Sequence, residues 1–352
     1  MRAEPILSVR DVAIRFPAAA TDAVRDISFD IGAGETLAIF GPSGSGKSSL
    51  ALALSGAIPT LVSAERRGEI RVQGAQLPAG SLSAQIARTA SILQDVDAQI
   101  VALTVEDEIA FALENRGAPS ELIEERIARA LSRAPTAGLS RRDRTLALSG
   151  GWRQRLAIGA AIAEDPMLLV LDEPVAHLDG DGVAGAMTAV AAARTHDAAT
   201  IVVEHRCDRI AAVADRALVL RQDGSPALLA SMKDMLDAAA QIPTRWGLRL
   251  PAALIANEAA RRAAETQRER AFVGDAGLAI DALRRRGAIL DAVLRALDLE
   301  ALERPPRAAS TPLLAINDAD VRRGSKTILQ SIDFAVGAGE VVGLTGEGVD
   351  QP

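Results

Sequence analysis

An α/β fold, with a parallel sheet covered by helices, follows from three features of the 352-residue sequence. Short apolar runs that read as buried strands, MLLVLDEP (167–174), TIVVEH (200–205) and RALVL (216–220), alternate with helix-compatible sequence. A glycine-rich loop, GPSGSGKSS (41–49), stands between the strand-like LAIF and the helix-compatible SSLALAL. The opening pattern of the chain then restarts near Leu313, where LLAINDADVRRGSKTILQSIDFAVGAGEVVGLTG matches the first forty-odd residues, an internal repeat of domain length.

From Ile6 to Ile39 the runs ILSV, VAI, ISFDI and TLAIF are separated by Gly, Pro and Asp, which is the pattern of strands and turns. A helix is expected after Lys47, and residues 69–93 supply two further strands, EIRV and TASIL. Thr104 reads as the N-cap of VEDEIAFALEN, whose acidic first turn suits a helix start and whose Ile109, Ala110 and Leu113 share a face. Ser120 opens a second amphipathic helix, ELIEERIARAL, and Ser149 a third, GGWRQRLAIGAAIA. The α/β unit ends near residue 230; residues 231–310, rich in Ala, Leu, Arg and Glu and punctuated by Pro243, Pro251, Pro305 and Pro306, read as a helical connector.

Composition narrows the function classes. At 49% hydrophobic and 24% charged the chain is long enough for a substantial core and for more than one unit. A net charge of −7 and a connector balanced in charge argue against bulk binding to nucleic acid, so a phosphate ligand needs a local site. One cysteine, Cys207, forms no disulfide framework and no zinc cluster, and reads as a packing residue. No apolar run reaches the ~18 residues of a membrane span, so a membrane role runs through a partner.

Three motifs carry chemistry. In Gly41-Pro-Ser43-Gly44-Ser-Gly46-Lys47-Ser48-Ser49, the glycines let successive backbone N–H groups curl around phosphate oxygens, Lys47 reaches the terminal phosphates and Ser48 offers a hydroxyl to Mg²⁺. A Gly-Ser linker is the bland reading, and the preceding strand, following helix and Lys-Ser pair favour ATP. In LLVLDEP an apolar strand ends in two carboxylates, which delivers Asp172 to the metal and Glu173 to a water attacking the γ-phosphate. Alone, the acidic pair could be a helix cap; beside a phosphate loop, catalysis is the favoured reading. The third motif, Leu148-Ser149-Gly150-Gly151-Trp152, could be a capped helix start alone.

LSGG before a helix, some twenty residues ahead of LLVLDEP, resembles the signature of ATP-binding-cassette (ABC) ATPases. The resemblance implies a P-loop NTPase cassette over residues 1–230, with a mixed sheet, flanking helices and a helical subdomain at about 95–165. The connector over 231–310 and an incomplete second cassette over 311–352 follow it. In that family the signature of one cassette closes over ATP held by another, so Ser149, Gly150, Gly151 and Trp152 serve a facing site. By the same resemblance Gln94 contacts Mg²⁺ and relays the state of the site, Asp179 bridges the cassettes, and His205 holds the γ-phosphate and orients the attacking water. Phe16 stands where the family stacks adenine, commonly with tyrosine, which this chain lacks altogether; a core role for Phe16 and a structural role for His205 are the alternatives. His177 and His196 read as surface or loop histidines. Trp152 departs from the family's usual glutamine, keeping one N–H donor and losing the carbonyl.

QDVDAQIVALTVEDEIAFALEN (94–115) is similar to the segment after the loop glutamine in ATPases of energy-coupling-factor (ECF) importers, and VVEHR and GLRLP (247–251) resemble the variant with two fused cassettes. That resemblance implies a peripheral protein at the cytoplasmic face of the membrane. Its partners are a second cassette, from a homodimer or a separate subunit, a transmembrane coupling subunit and a substrate-binding membrane subunit. No nucleic acid is expected. A soluble tandem ABC ATPase acting on ribosome or nucleic acid, and a non-catalytic regulator, are the competing readings. Aligned on GAGE, Gly346 falls opposite Gly41, whereas Gln351 and Pro352 stand where Gly46 and Lys47 do, so the second phosphate loop is expected to be truncated and non-functional.

Overall fold

The computed structural model describes residues 4–77, 89–132, 136–175, 178, 180–194, 198–241, 246, 312–323 and 326–337. Two compact units divide at Val293 and Leu294, and each is considered by itself. Asp179, His177, His196, most of the connector including 247–251, and residues 338–352 lie outside the described residues.

The first unit opens with an antiparallel sheet. The runs ILSV and VAI, separate in the sequence reading, join as one strand, β1 (Leu7–Arg15), which pairs with β2 (Val24–Ile31). Asp11 takes a left-handed φ of 49° and the ladder shifts between Val9 and Val12, so a bulge carries the apolar alternation through the break. The other edge of β1 pairs with β4 (Glu65–Val72), which continues to β5 (Ala75–Gln76) in the order β2-β1-β4-β5.

Between them the chain enters the second sheet through β3 (Thr36–Phe40), α1 (Lys47–Leu54) and the short α2 (Ala57–Thr60). The remaining strands are β6 (Thr89–Ile92), β7 (Leu168–Asp172), β8 (Ala199–Val203), β9 (Arg216–Leu220) and β10 (Pro226–Ser231). They form a six-stranded sheet in the order β10-β9-β3-β8-β7-β6, parallel except for the β9–β10 hairpin, so the sheet is mixed. Every residue of β3, β7 and β8 is buried, as unbroken apolar strands covered on both faces require. Successive side chains of β7 go to opposite cores: Leu168 and Val170 pack with β1, β2 and Leu50 and Leu54 of α1, while Leu169 and Leu171 pack with the helices on the other face.

A helical layer carries a third, smaller core. It comprises α3 (Val105–Asn115), α4 (Ser120–Leu131), a 3₁₀ turn (Thr145–Ala147) and α5 (Gly150–Ala163). Thr104 caps α3 by accepting the Asp107 N–H, with three acidic residues in the first turn, and Ile109, Ala110 and Leu113 meet Ile127 and Leu156 in one cluster. After β7 come α6 (Gly180–Arg194) and α7 (Cys207–Ile210), and after β10 comes α8 (Met232–Gln241). Met232, Met235 and Ala239 of α8, at helical spacing, bury in the same core as Phe40, so residues 232–241 pack with the sheet rather than with a connector. Among the described residues no helix is long and apolar enough to cross a membrane.

In the second unit β11 (Pro312–Arg323) and β12 (Lys326–Gly337) form an antiparallel hairpin. Its register repeats that of β1–β2 residue for residue: Val9↔Phe29, Val12↔Ile27 and Ile14↔Val24 become Ile316↔Phe334, Ala319↔Ile332 and Val321↔Leu329. The left-handed residues recur as well, Asp11 and Asp26 at φ 49° and 57° against Asp318 and Ser331 at 45° and 50°.

Candidate functional site

The phosphate loop links β3 to α1, and a backbone constraint shapes it. Gly46 is the N-cap of α1 with φ 86°, and a Cβ placed there would lie 2.2 Å from the Ala23 carbonyl oxygen. A Cβ at Gly224, in the β9–β10 turn, would also lie 2.2 Å from that oxygen. Both positions require glycine for close approach and for positive φ. Gly41 and Gly44 complete the turn with φ 152° and 80°.

Lys47 is buried and its Nζ donates to the carbonyls of Gly41 (3.0 Å) and Pro42 (2.9 Å). Burial pulls its pKa down, against the pull of Glu173 and Asp172. Ser43 is exposed, and its carbonyl accepts from Gln222 Nε2 at 3.1 Å, a brace from the β9–β10 turn that no sequence motif announces. Ser48 is exposed and Ser49 half-buried on the first turn of α1.

Asp172 ends β7 beside α1, with its carboxyl near the Ser48 hydroxyl. Burial pushes its pKa up, with the nearby Ser48 hydroxyl opposing. Its Oδ1 is buried with no hydrogen-bond partner, an oxygen left over beside a hydroxyl. Among the described residues no three His, Cys, Asp or Glu side chains form a metal cage. A hard ion such as Mg²⁺, held by one carboxylate, one hydroxyl, phosphate oxygens and water, fits this donor set.

Glu173 follows at φ 53°, a strained conformation for a non-glycine residue, fixed by its N–H donating to the Val203 carbonyl (2.9 Å). The turn aims its carboxylate between two predicted residues: His205 Nε2 lies 2.8 Å from Oε1, and Gln94 Nε2 donates to Oε2 at 3.4 Å. Residues predicted 79 positions apart thus meet at one carboxylate. His205 is held from its own backbone, because Glu204, buried, accepts from the N–H groups of His205 (3.0 Å) and Arg206 (3.2 Å). Burial raises the Glu204 pKa against those two bonds. Gln94 sits in a loop braced by Gln99, whose Oε1 accepts the Leu93 N–H at 2.7 Å.

The signature residues lie on the helical layer at the start of α5. Ser149 is its N-cap, Oγ accepting the Trp152 N–H at 3.4 Å, with Gly150 exposed. A Cβ at Gly150 would meet nothing within 4 Å, so the helix N-terminus faces open space. Trp152 turns inward: Arg155 stacks on its ring, 3.6 Å from the centroid, and Gly138 lies under its edge. Phe16 is half-buried against the core of the antiparallel sheet. Asp179 lies outside the described residues.

Comparison with known proteins agrees with this geometry. A family model for the ABC transporter matches residues 24–176. A Streptomyces avermitilis protein named as an ABC transporter ATP-binding protein is 31% identical over 97% of this chain, and the chain spans 62% of that relative's length. The energy-coupling factor transporter ATP-binding protein EcfA1 of Enterococcus faecalis is 34% identical, over 66% of this chain and 84% of its own. The structure of cbiO1 from Clostridium perfringens, part of the ABC transporter complex cbiONQ, superposes with a TM-score of 0.58 at 25% identity over 69% of this chain and 98% of that one. With its P-loop fold, and with relatives matched over most of their length, the chain belongs to the ABC transporter ATP-binding proteins, a family of ATPases.

Proposed function

We propose that the chain binds and hydrolyses ATP to energise an importer of the energy-coupling-factor type, taking up a vitamin, a vitamin precursor or a metal ion. The observation that carries the reading is the Glu173 carboxylate held between His205 and Gln94 beside the phosphate loop. Lys47 and the loop amides bind the terminal phosphates, and Ser48, Asp172 and Gln94 hold Mg²⁺, which neutralises phosphate charge when bound. Glu173 takes a proton from a water whose oxygen attacks the γ-phosphorus. The bond to the bridging oxygen breaks, and ADP and phosphate leave. His205, 2.8 Å from Glu173 through Nε2, orients the attacking water and holds the γ-phosphate when ATP is bound.

The signature cradle of Ser149, Gly150 and Gly151 serves a second cassette, with Asp179 bridging the two. The hairpin 312–337 repeats the register of the first cassette's opening, and the match to the Streptomyces avermitilis relative runs through it, both in support of a second cassette in tandem. Val101, Leu103 and Leu146 are 58%, 65% and 80% exposed, and the Leu103 carbonyl accepts the Thr145 N–H, which gathers apolar side chains beside the Gln94 loop. A transmembrane coupling subunit docks there, with a substrate-binding membrane subunit beyond it, and the ATPase is peripheral at the cytoplasmic face. The names of EcfA1 and of the cbiONQ complex support this choice over a ribosome or nucleic-acid partner.

Glu173→Gln keeps ATP binding and lowers turnover by at least ~10²-fold, trapping a closed pair of cassettes visible by size-exclusion chromatography. Turnover equal to wild type sinks the assignment. Specific activity that rises with protein concentration supports paired cassettes.

A further inference from the structure

Between Gln94 and the signature turn lies an ion pair that no sequence motif marks. Asp97, three residues after Gln94, pairs with Arg153, four residues after Ser149: Nη2 donates to Oδ2 at 3.3 Å, and Nε lies 2.8 Å from Oδ1 as an ion-pair contact without hydrogen-bond alignment. The remaining nitrogen, Nη1, donates to the Leu148 carbonyl at 3.3 Å, immediately before the Ser149 cap. Nη2 is thus bonded to the Gln94 loop and Nη1 to the turn that presents Ser149, Gly150 and Gly151, while Nε adds a charge contact with Asp97. A planar guanidinium that bonds one element through Nη1 and another through Nη2 couples their positions in a way that a point charge does not.

The two ends of the clasp are themselves anchored. The Ala98 N–H donates to Asp95 (3.2 Å), the Gln99 and Ile100 N–H groups donate to the Val96 carbonyl (2.9 and 3.1 Å), and Gln99 ties back to Leu93 at the end of β6. Further along, Glu108 accepts the N–H groups of Val101 (3.0 Å) and Ala102 (2.8 Å), which fastens the same segment to α3. On the other side the Arg153 N–H donates to the Ser149 carbonyl at 2.9 Å, so the side chain grips the loop from the first turn of α5 itself. Asp97 is 66% exposed and Arg153 24%, so either partner can be exchanged without opening a core.

We infer that Asp97 and Arg153 are positioning residues. Their clasp fixes the signature turn to the loop that carries Gln94, so the anion cradle offered to a facing cassette follows the state of this cassette's own phosphate site. The inference rests on the paired-cassette reading above and adds to it the physical link between the two ends of one chain's machinery. Neither residue touches the phosphate loop, so ATP capture by the cassette's own Lys47 and Ser48 is independent of the clasp.

The test uses the full chain as wild type, Asp97→Ala, Arg153→Ala and the double variant, with two readouts. Amide hydrogen exchange in peptides covering 93–102 and 148–156 reports the clasp whatever the state of association. Each single variant speeds exchange on both sides, Arg153→Ala loosening 93–102 and Asp97→Ala loosening 148–156, and the double variant goes no further than the worse single one. Steady-state ATPase, measured over a range of protein concentrations, gives a kcat about three- to tenfold lower in each single variant, with KM for ATP within twofold of wild type and no further loss in the double variant. Unchanged exchange across the clasp, additive losses, or a fall confined to KM overturns the inference. If wild-type activity is independent of concentration while the exchange results hold, the paired-cassette reading fails and the clasp stands. If activity is concentration-dependent and Asp97→Ala matches wild type in both readouts, the clasp fails and the reading stands.

Discussion

Two hairpins with the same register have different surroundings in this molecule. In β1–β2, Leu7 and Val9 are fully buried and Phe29 is 4% exposed, because β4 pairs along β1 and α1 covers the face. In β11–β12 the matching Leu314 is 50% exposed and Ile316 and Phe334 are half-buried, and among the described residues the two strands pair only with each other. Register and bulge are therefore written locally, in the spacing of Asp11 and Asp26 or of Asp318 and Ser331, whereas burial is supplied by the rest of a cassette.

Lys47→Ala breaks the comparison hardest. Nucleotide binding measured on the whole chain falls by ~10²-fold or more if the first repeat alone holds the phosphates. A residual high-affinity site would show that the second repeat binds as well. Gly224→Ala tests how much the first hairpin owes to its setting. The new Cβ meets the Ala23 carbonyl at 2.2 Å, and the melting temperature drops by about 5 °C or more.

A matched pair of substitutions sharpens the comparison further. Ser28 Oγ accepts the Asp11 N–H (2.8 Å) and donates to Asp11 Oδ1 (3.0 Å), and its counterpart Asp333 accepts the Asp318 N–H at 2.8 Å. Ser28→Ala costs about 0.5–1.5 kcal/mol in the unfolding of the first unit, and Asp333→Ala leaves that transition unmoved. Urea denaturation followed by the ellipticity of the first unit separates the two.

The smallest effect concerns pattern against context at a single residue, Glu204. Burial raises its folded pKa above the unfolded value, so the protonated form favours folding. Its contribution to stability is present below the unfolded pKa and is lost as pH rises through the folded one. Glu204→Gln, neutral throughout, flattens this slope and is more stable than wild type at pH 8 by about 2 °C in thermal melts, with no gain at pH 4. A wild-type stability profile parallel to that of Glu204→Gln contradicts the assignment.

The parts of the fold legible in sequence were those governed by short-range rules. Thr104 and Ser149 as N-caps, the unbroken apolar runs of β7 and β8, and the glycine-rich turn all rest on a few adjacent residues. The meeting of Gln94, Glu173 and His205 was legible through family resemblance, since composition alone cannot bring residues from three strand ends together. Gln222, Gln99, Glu204 and the Asp97–Arg153 pair were not legible. Each is an ordinary polar residue whose role depends on a backbone atom or charge brought near by the tertiary fold. The joining of ILSV and VAI into β1 was hidden for the opposite reason, because Asp11 looks like a turn residue and is one, inside a strand.

The Ala23 carbonyl, which leaves no room for a Cβ at either Gly46 or Gly224, bears on how such a loop can be moved between proteins. Residues 41–48 hold their shape partly against a strand of the other sheet and a distant turn, so the motif is not a portable cassette within the cassette. A chimera that transplants the loop needs β2 and the β9–β10 turn with it, and a designer who carries over only the glycines and the lysine inherits the letters of the motif without the wall it leans on.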